Sequence, residues 1–326
     1  MSSHIKPVFI FSLPRSGSTL LQRIIGAHPK VSTTSEPWML LPFFYSLRDD
    51  GIFSEYNHFS MHSALQDFIQ CLPKKDRDFT DAIGSMARQL YSKCSKPGDT
   101  YFLDKTPRYH LISNEIVDTF PDAKCIFLWR NPLSVIASSL DTFGNGKWRL
   151  YDYKVDFYTG FEQLYASYMR AKSTSFSLNY ENLILEPEKV YEDLFAFLEL
   201  DYDVKLINDF ASVRLEGGAG DPTGTKKYTS LSSDPLDKWK TTLANPIRKR
   251  WSKRYLDWIG EERLLAIGYD IMTLSNELKS INSKPNYVMS DTIRIGYGSM
   301  LNVLHTNLIR KKLSLLSCPE RIYSLK

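Results

Sequence analysis

Residues 8–25 read Val8-Phe9-Ile10-Phe11-Ser12-Leu13-Pro14-Arg15-Ser16-Gly17-Ser18-Thr19-Leu20-Leu21-Gln22-Arg23-Ile24-Ile25, and this stretch decides the fold class. Val8 to Phe11 is β-branched or aromatic at every position, which predicts a strand buried on both faces, as parallel sheets require. Thr19 to Ile25 predicts a helix that ends before His28-Pro29, because a proline pushes the preceding residue out of the helical region. The turn between them, Ser12 to Ser18, carries Gly17. A glycine in a tight turn lets backbone N–H groups gather around an anion, and the helix N-terminus adds the positive end of its dipole. Ser16, Ser18 and Thr19 supply hydroxyls, and Arg15 supplies a planar fork of donors suited to phosphate oxygens. Taken alone, the segment fits a phosphate cradle or a serine-rich cap on an ordinary helix. The nucleotide-triphosphatase loop GxxxxGK[ST] needs a lysine after its second glycine. Here Gly17 is followed by Ser18-Thr19, which argues against ATP or GTP hydrolysis.

The same layout recurs. Lys124 to Trp129 reads as a second buried strand after a Pro121-Asp122 turn, and Pro132 opens a helix to Leu140 at the position where proline is best tolerated. Arg130 leaves the strand tip beside that helix start, and Ser138 lies two turns along it. The pair suits a second phosphate, away from the first; a lone strand-end arginine fits a surface ion pair equally well. Phe176 to Tyr180 reads as a third strand, and Pro187 to Leu200 as a helix with Val190, Leu194, Phe197 and Leu198 at helical spacing. Further helical segments fall near 60–71, 80–95, 155–172 and 246–267. The alternation predicts an α/β fold, a central parallel sheet flanked by helices. It should fill one domain over residues 1–274, followed by a basic, helical C-terminal extension over 275–326. The polar stretch Ser275 to Asn286 is the expected linker.

Composition is that of a globular protein: 326 residues, 43% hydrophobic and 24% charged. A formal net charge of +4 is too mild to predict a nucleic-acid partner. Residues 277–326 nevertheless carry eight lysines and arginines against three acids. Cys71, Cys94, Cys125 and Cys318 are widely spaced, which fits reduced thiols rather than a disulfide framework or a metal cluster. The opening residues lack a signal-peptide layout, and the apolar run Val8 to Leu13 is far shorter than the ~20 residues of a membrane span. The expectation is a cytoplasmic protein with no membrane span, no nucleic-acid partner and no metal.

Strand-PRSGSTLL-helix, then Asp104-Lys105-Thr106-Pro107, then Arg130-Asn131-Pro132 with Ser138, then Tyr180-Glu181-Asn182-Leu183 resembles the sulfotransferases that use 3′-phosphoadenosine-5′-phosphosulfate (PAPS). The resemblance spans roughly residues 8–200, with a looser echo to about 270, and implies a P-loop-like domain. It implies that Arg15, Ser16, Gly17, Ser18 and Thr19 hold the 5′-phosphosulfate end of PAPS as co-substrate. Arg130 and Ser138 would hold the 3′-phosphate, and Tyr180 would lie near the adenine. Gly217-Gly218-Ala219-Gly220 with Lys226 and Lys227 would correspond to a late loop closing on the cofactor; a surface loop has the same composition. Many small-molecule members place a catalytic histidine directly after a lysine-threonine pair. Here Pro107 stands in that place, and His110, three residues on, reads as helix surface. Glu36 follows Arg15 at the spacing of the catalytic glutamate in the tyrosylprotein and related Golgi-type branch, after a similar Ala27-His28-Pro29 turn. The resemblance therefore implies Glu36 as general base. Lys105 aligns with the lysine after the central strand, and with Arg15 it would stabilise charge on the transferring group.

The glutamate base and missing histidine favour a glycan or peptide hydroxyl, and the expected cytoplasmic setting favours a carbohydrate or glycolipid. Trp38 to Tyr45 would line one wall of the acceptor site, and Trp148, Arg149, Tyr151 and Tyr153 the opposite rim; both runs also read as core. Pro246 to Arg254 is a basic helix suited to an anionic saccharide or to solvent. Met300 to Leu316, with Arg310, Lys311 and Lys312 beyond its apolar face, suits docking on the domain or weak peripheral contact with anionic lipid. The alternatives are a P-loop small-molecule kinase, which would need Mg²⁺-dependent ATP turnover, and a non-catalytic nucleotide-binding protein, which would bind without turnover.

Overall fold

The computed structural model describes residues 5–203, 206–213, 215 and 232–304, apart from positions 50, 51, 53 and 55. Five strands form one parallel sheet in the order β2-β3-β1-β4-β5: β1 (Lys6–Phe11), β2 (Val31–Thr33), β3 (Tyr101–Asp104), β4 (Lys124–Trp129) and β5 (Phe176–Asn179). The central strand β1 pairs with β3 from Lys6 opposite Tyr101 and with β4 from Val8 opposite Lys124. Because side chains alternate across a strand, β1 feeds two cores. Val8 and Ile10 meet Leu20, Leu21, Ile24 and Ile25 of α1 (Ser18–Gly26), while Phe9 and Phe11 join the opposite face. That face is covered by α4 (Asp76–Cys94), α6 (Pro132–Gly144) and α7 (Phe161–Ala171), which supply Ile83, Leu133, Ile136 and Leu164. Each such side chain contributes roughly 1.5–3 kcal/mol on full burial. This double burial explains why β1 and β4 show no polar alternation.

The remaining helices named here are α2 (Leu40–Tyr45), α3 (His58–Gln70), α5 (Ser113–Thr119), α8 (Tyr180–Leu185) and α9 (Pro187–Phe197). Several boundaries differ from the sequence expectation. Tyr180 opens α8 instead of ending β5. The segment expected as one helix over 155–172 starts with a π-helical turn, Asp156–Gly160, before α7. The one expected over 246–267 is divided by Gly260, whose φ of 83° separates Pro246–Ile259 from Glu261–Ala266. The expected linker from Ser275 is helical at first, lying in the helix Ile271–Ser280. Beyond it a further helix, Val288–Leu304, returns to the body through a buried pair: Arg248 Nε donates to Asp291 Oδ2 at 2.7 Å.

Candidate active site

Arg15, with φ 69°, and Gly17, with φ 94°, are both left-handed, so the chain turns sharply between β1 and α1. Gly17 is required twice. Its φ favours glycine, and an added Cβ would lie 2.3 Å from Cδ2 of Tyr180. The Tyr180 ring is therefore seated directly on the loop, which a one-dimensional reading could not show. Side-chain capping of α1 at Gly17 is absent, and an uncapped N-terminus keeps first-turn N–H groups for a ligand or solvent. Ser16, Ser18 and Thr19 are buried around it.

The second motif converges on this loop. Arg130 Nη1 donates to the Arg15 carbonyl at 2.8 Å, Nη2 donates to the Pro235 carbonyl at 3.1 Å, and the guanidinium centre sits 4.3 Å from the Tyr180 ring centroid. Arg130 Nε is buried and has no hydrogen-bond partner among the described residues. Arg15 Nε donates to Ser138 Oγ at 3.4 Å. Arg15 thus touches both motifs, rather than the two standing apart. Asn131 caps α6 by accepting from the Leu133 N–H. Its own N–H donates to Glu181 Oε1, whose other oxygen accepts from Tyr269 at 2.6 Å. Burial, then the Glu181 charge, push the Tyr269 phenol well up, so it stays a donor. In the sequence Glu181 is legible only as part of a motif, because its partner Tyr269 is 88 residues away.

Glu36 and Lys105 meet. Lys105, only 1% exposed, donates from Nζ to Glu36 Oε1 at 2.7 Å and to Thr19 Oγ1 at 3.4 Å. Trp38 Nε1 donates to Glu36 Oε2 at 3.3 Å, so both carboxylate oxygens are held. Lys105 follows β3, the neighbour of the central strand rather than the central strand itself. The Arg15 loop, Glu36, Lys105 and Arg130 follow β1, β2, β3 and β4, and so gather at the carboxyl ends of parallel strands. The chain runs from β1 toward β2 on one side and from its neighbour β4 toward β5 on the other, and such a reversal between adjacent strands is where open α/β sheets bind ligands. Asp104, immediately before Lys105, is fully buried. Desolvation pushes its carboxyl up to about 6, opposed by hydrogen bonds from Tyr91, Tyr109 and Thr106 and by the Lys105 charge.

The acceptor-side expectations divide. Leu40 and Phe44 of α2 are core, while Trp38 is exposed beside Glu36. Trp148 is buried edge-on against Trp251, so it is not part of a rim. Arg149 pairs with Asp152, Tyr151 packs near Tyr297, and Tyr153 stacks on Phe143 at 4.4 Å. His110 is not helix surface. It is fully buried in the 3₁₀ turn Pro107–Leu111, with Nε2 3.0 Å from Asp156 Oδ1, and Arg108 Nε lies 2.9 Å from the same oxygen. In the basic helix Arg248 is buried and Lys253 pairs with Asp257, so those charges face protein groups. Gly217 to Gly220, Lys226 and Lys227 lie outside the described residues, as does the C-terminal segment beyond Leu304. Among the described residues, no group of three or more His, Cys, Asp or Glu could share a metal ion, and no helix is long and apolar enough to cross a membrane.

Residues 7–204 match the model of the sulfotransferase family. Nodulation protein NoeE of Sinorhizobium fredii is 30% identical over 154 residues, covering 44% of this chain and 34% of that protein. Protein-tyrosine sulfotransferase 1 of Danio rerio is 22% identical over 242 residues, covering 71% of this chain and 65% of that protein. The chain thus spans about a third of the first relative's length and just under two thirds of the second's. Among solved structures, the sulfotransferase domain from the curacin biosynthetic pathway superposes with a TM-score of 0.52 at 22% identity, covering 78% of this chain and 97% of that one, a likeness of fold. The family match takes in β1 through α9, and with them the loop, the Glu36–Lys105 pair and Arg130: the chain belongs to the sulfotransferase family.

Proposed function

We propose that this sulfotransferase takes its sulfuryl group from PAPS and transfers it to an acceptor hydroxyl with Glu36 as general base. The observation that carries the reading is the Glu36–Lys105–Thr19 contact, which sets a carboxylate and an ammonium at the mouth of an anion-binding loop. In the reaction a bond forms between the acceptor oxygen and sulfur as the bond from sulfur to the bridging phosphate oxygen breaks. Glu36 takes the hydroxyl proton, and Lys105 and Arg15 offset the charge left on the bridging oxygen. Positioning and electrostatics supply most of the acceleration in transfers of this kind.

Donor recognition divides among Arg15, Ser16, Gly17, Ser18 and Thr19 for the 5′ end, Arg130 and Ser138 for the 3′-phosphate, and Tyr180 for the adenine. The orphaned Arg130 Nε suits an added oxygen ligand. Lys226 and Lys227 are proposed partners of the same phosphate. The acceptor we favour is a saccharide or glycolipid hydroxyl: Trp38, 42% exposed and bonded to Glu36, offers an indole face beside the base, suited to stacking on a sugar ring. A peptide tyrosine is the second reading, favoured by the tyrosylprotein relative. Transfer of radiolabelled sulfur from PAPS to a panel of oligosaccharides, glycolipids and tyrosine peptides separates the two. Glu36→Gln should lower turnover by about 10²-fold or more with donor affinity kept. Wild-type turnover in that variant removes Glu36 as the base.

A further inference from the structure

We infer that Asp104 is a positioning residue for the Glu36 turn: its buried carboxylate orients the hydroxyls of Thr106 and Tyr109, and these hold the backbone of Trp38 and Leu40. Asp104 ends β3 and is 0% exposed. Its Oδ2 accepts from Tyr91 at 2.6 Å and from Tyr109 at 2.9 Å, and its Oδ1 accepts from Thr106 at 3.2 Å. A hydroxyl has a single proton. Once it is donated to a carboxylate, the oxygen can only accept further bonds. Two backbone donors use that polarity. The Trp38 N–H donates to Thr106 Oγ1 at 3.2 Å, and the Leu40 N–H donates to Tyr109 Oη at 3.3 Å.

The clamp acts where the backbone needs it. Trp38 has φ 56°, a left-handed conformation that costs a bulky residue roughly 1–3 kcal/mol and persists only when its surroundings over-determine it. From that conformation its indole reaches Glu36 Oε2. The next residue in the chain after Asp104 is Lys105, which holds the other Glu36 oxygen. One strand end therefore fixes the base from two directions, through the Lys105 side chain and through the backbone two and four residues after Glu36. A buried carboxylate is a costly way merely to fill a core, which favours a role that its polarity alone can serve.

The inference rests on Glu36 being the base, so the test separates the two claims. Turnover, donor KM and affinity for adenosine 3′,5′-bisphosphate are measured for Thr106→Val, Thr106→Ser, Glu36→Gln and the Thr106→Val/Glu36→Gln double variant. Thr106→Val should lose ~10-fold or more in kcat, with bisphosphate affinity within about twofold of wild type. Thr106→Ser should restore kcat, and Thr106→Val should add almost nothing to Glu36→Gln, because residues acting through one another are non-additive. A wild-type kcat in Thr106→Val, failure of serine to rescue, or an undiminished loss in the Glu36→Gln background overturns the positioning role while leaving the base assignment intact. Wild-type turnover in Glu36→Gln overturns the base assignment, and the inference falls with it. Asp104→Asn should follow Thr106→Val; should it fail to fold, the threonine variants still decide, because they keep the carboxylate and both of its tyrosine partners.

Discussion

At Gly17 two independent constraints meet, a left-handed φ and a ring 2.3 Å from where a Cβ would stand. Gly17→Ala should therefore displace Tyr180 and weaken adenosine 3′,5′-bisphosphate binding by about 10-fold or more, read by calorimetry; unchanged affinity would detach the Tyr180–Gly17 contact from the donor site. Asp104 carries a pH signature. Its carboxyl is pushed up to about 6 in the fold, above the ordinary 3.8, so the folded state binds the extra proton between those values. Stability contributed by the protonated form is then complete at low pH and is lost as pH rises from about 4 to 6, by roughly 3 kcal/mol in all. Urea unfolding across that window should show the wild type losing stability relative to Asp104→Asn as pH rises, and a difference constant with pH would mean the carboxyl titrates normally. Neither the Asp104 network nor the Arg130–Tyr180 contact was legible in the sequence. Asp104 and Tyr91 are 13 residues apart, and Arg130 and Tyr180 are 50 apart, so no local pattern pairs them. Glu36 and Lys105 were legible as candidates, because motif spacing survives in one dimension. Their 2.7 Å contact across 69 residues was not.

At the scale of elements, β1, β4, α1 and α6 announced themselves because burial on both faces leaves apolar strands and strong helix starts. β2 was hidden: three residues, two of them hydroxylic, cannot show a period. β3, four residues ending in a buried aspartate, was equally faint, although its burial is complete. His110 misled for a related reason. Its 3₁₀ turn is too short to display a face, and its burial depends on Asp156 in a π-helical turn 46 residues on. α1 should be a sensitive element, since Leu21 is fully buried against the sheet. Leu21→Ala should cost about 2–5 kcal/mol in chemical denaturation. A loss below about 1 kcal/mol would mean that α1 is not packed on β1 as described.

Across the whole molecule, the family match ends at residue 204, and the described chain continues through helices that fold back on the sheet domain. The Arg248–Asp291 pair and the Tyr151–Tyr297 contact tie the last of them down. Asp291 also accepts from Asn245 Nδ2, and Arg248 reaches the Gly146 carbonyl beyond α6. Removing one partner of a buried pair strands the other, so Asp291→Ala should cost about 3–5 kcal/mol and expose residues 281–287 to protease. Wild-type stability and protection would show that Val288–Leu304 docks without the pair. The charge imbalance of the last fifty residues pointed to a distinct C-terminal region, but the sequence held no sign that its single early aspartate would be buried.

A nucleotide site built for a 3′-phosphorylated donor would declare itself in calorimetric titration with adenosine 3′,5′-bisphosphate, AMP and ATP, each with and without Mg²⁺. Binding should be of about micromolar affinity or tighter, should need the 3′-phosphate and not Mg²⁺, and should weaken far more in Arg130→Ala for the bisphosphate than for AMP. Equal affinity for AMP and the bisphosphate, or a preference for ATP with Mg²⁺, would contradict a site of that kind.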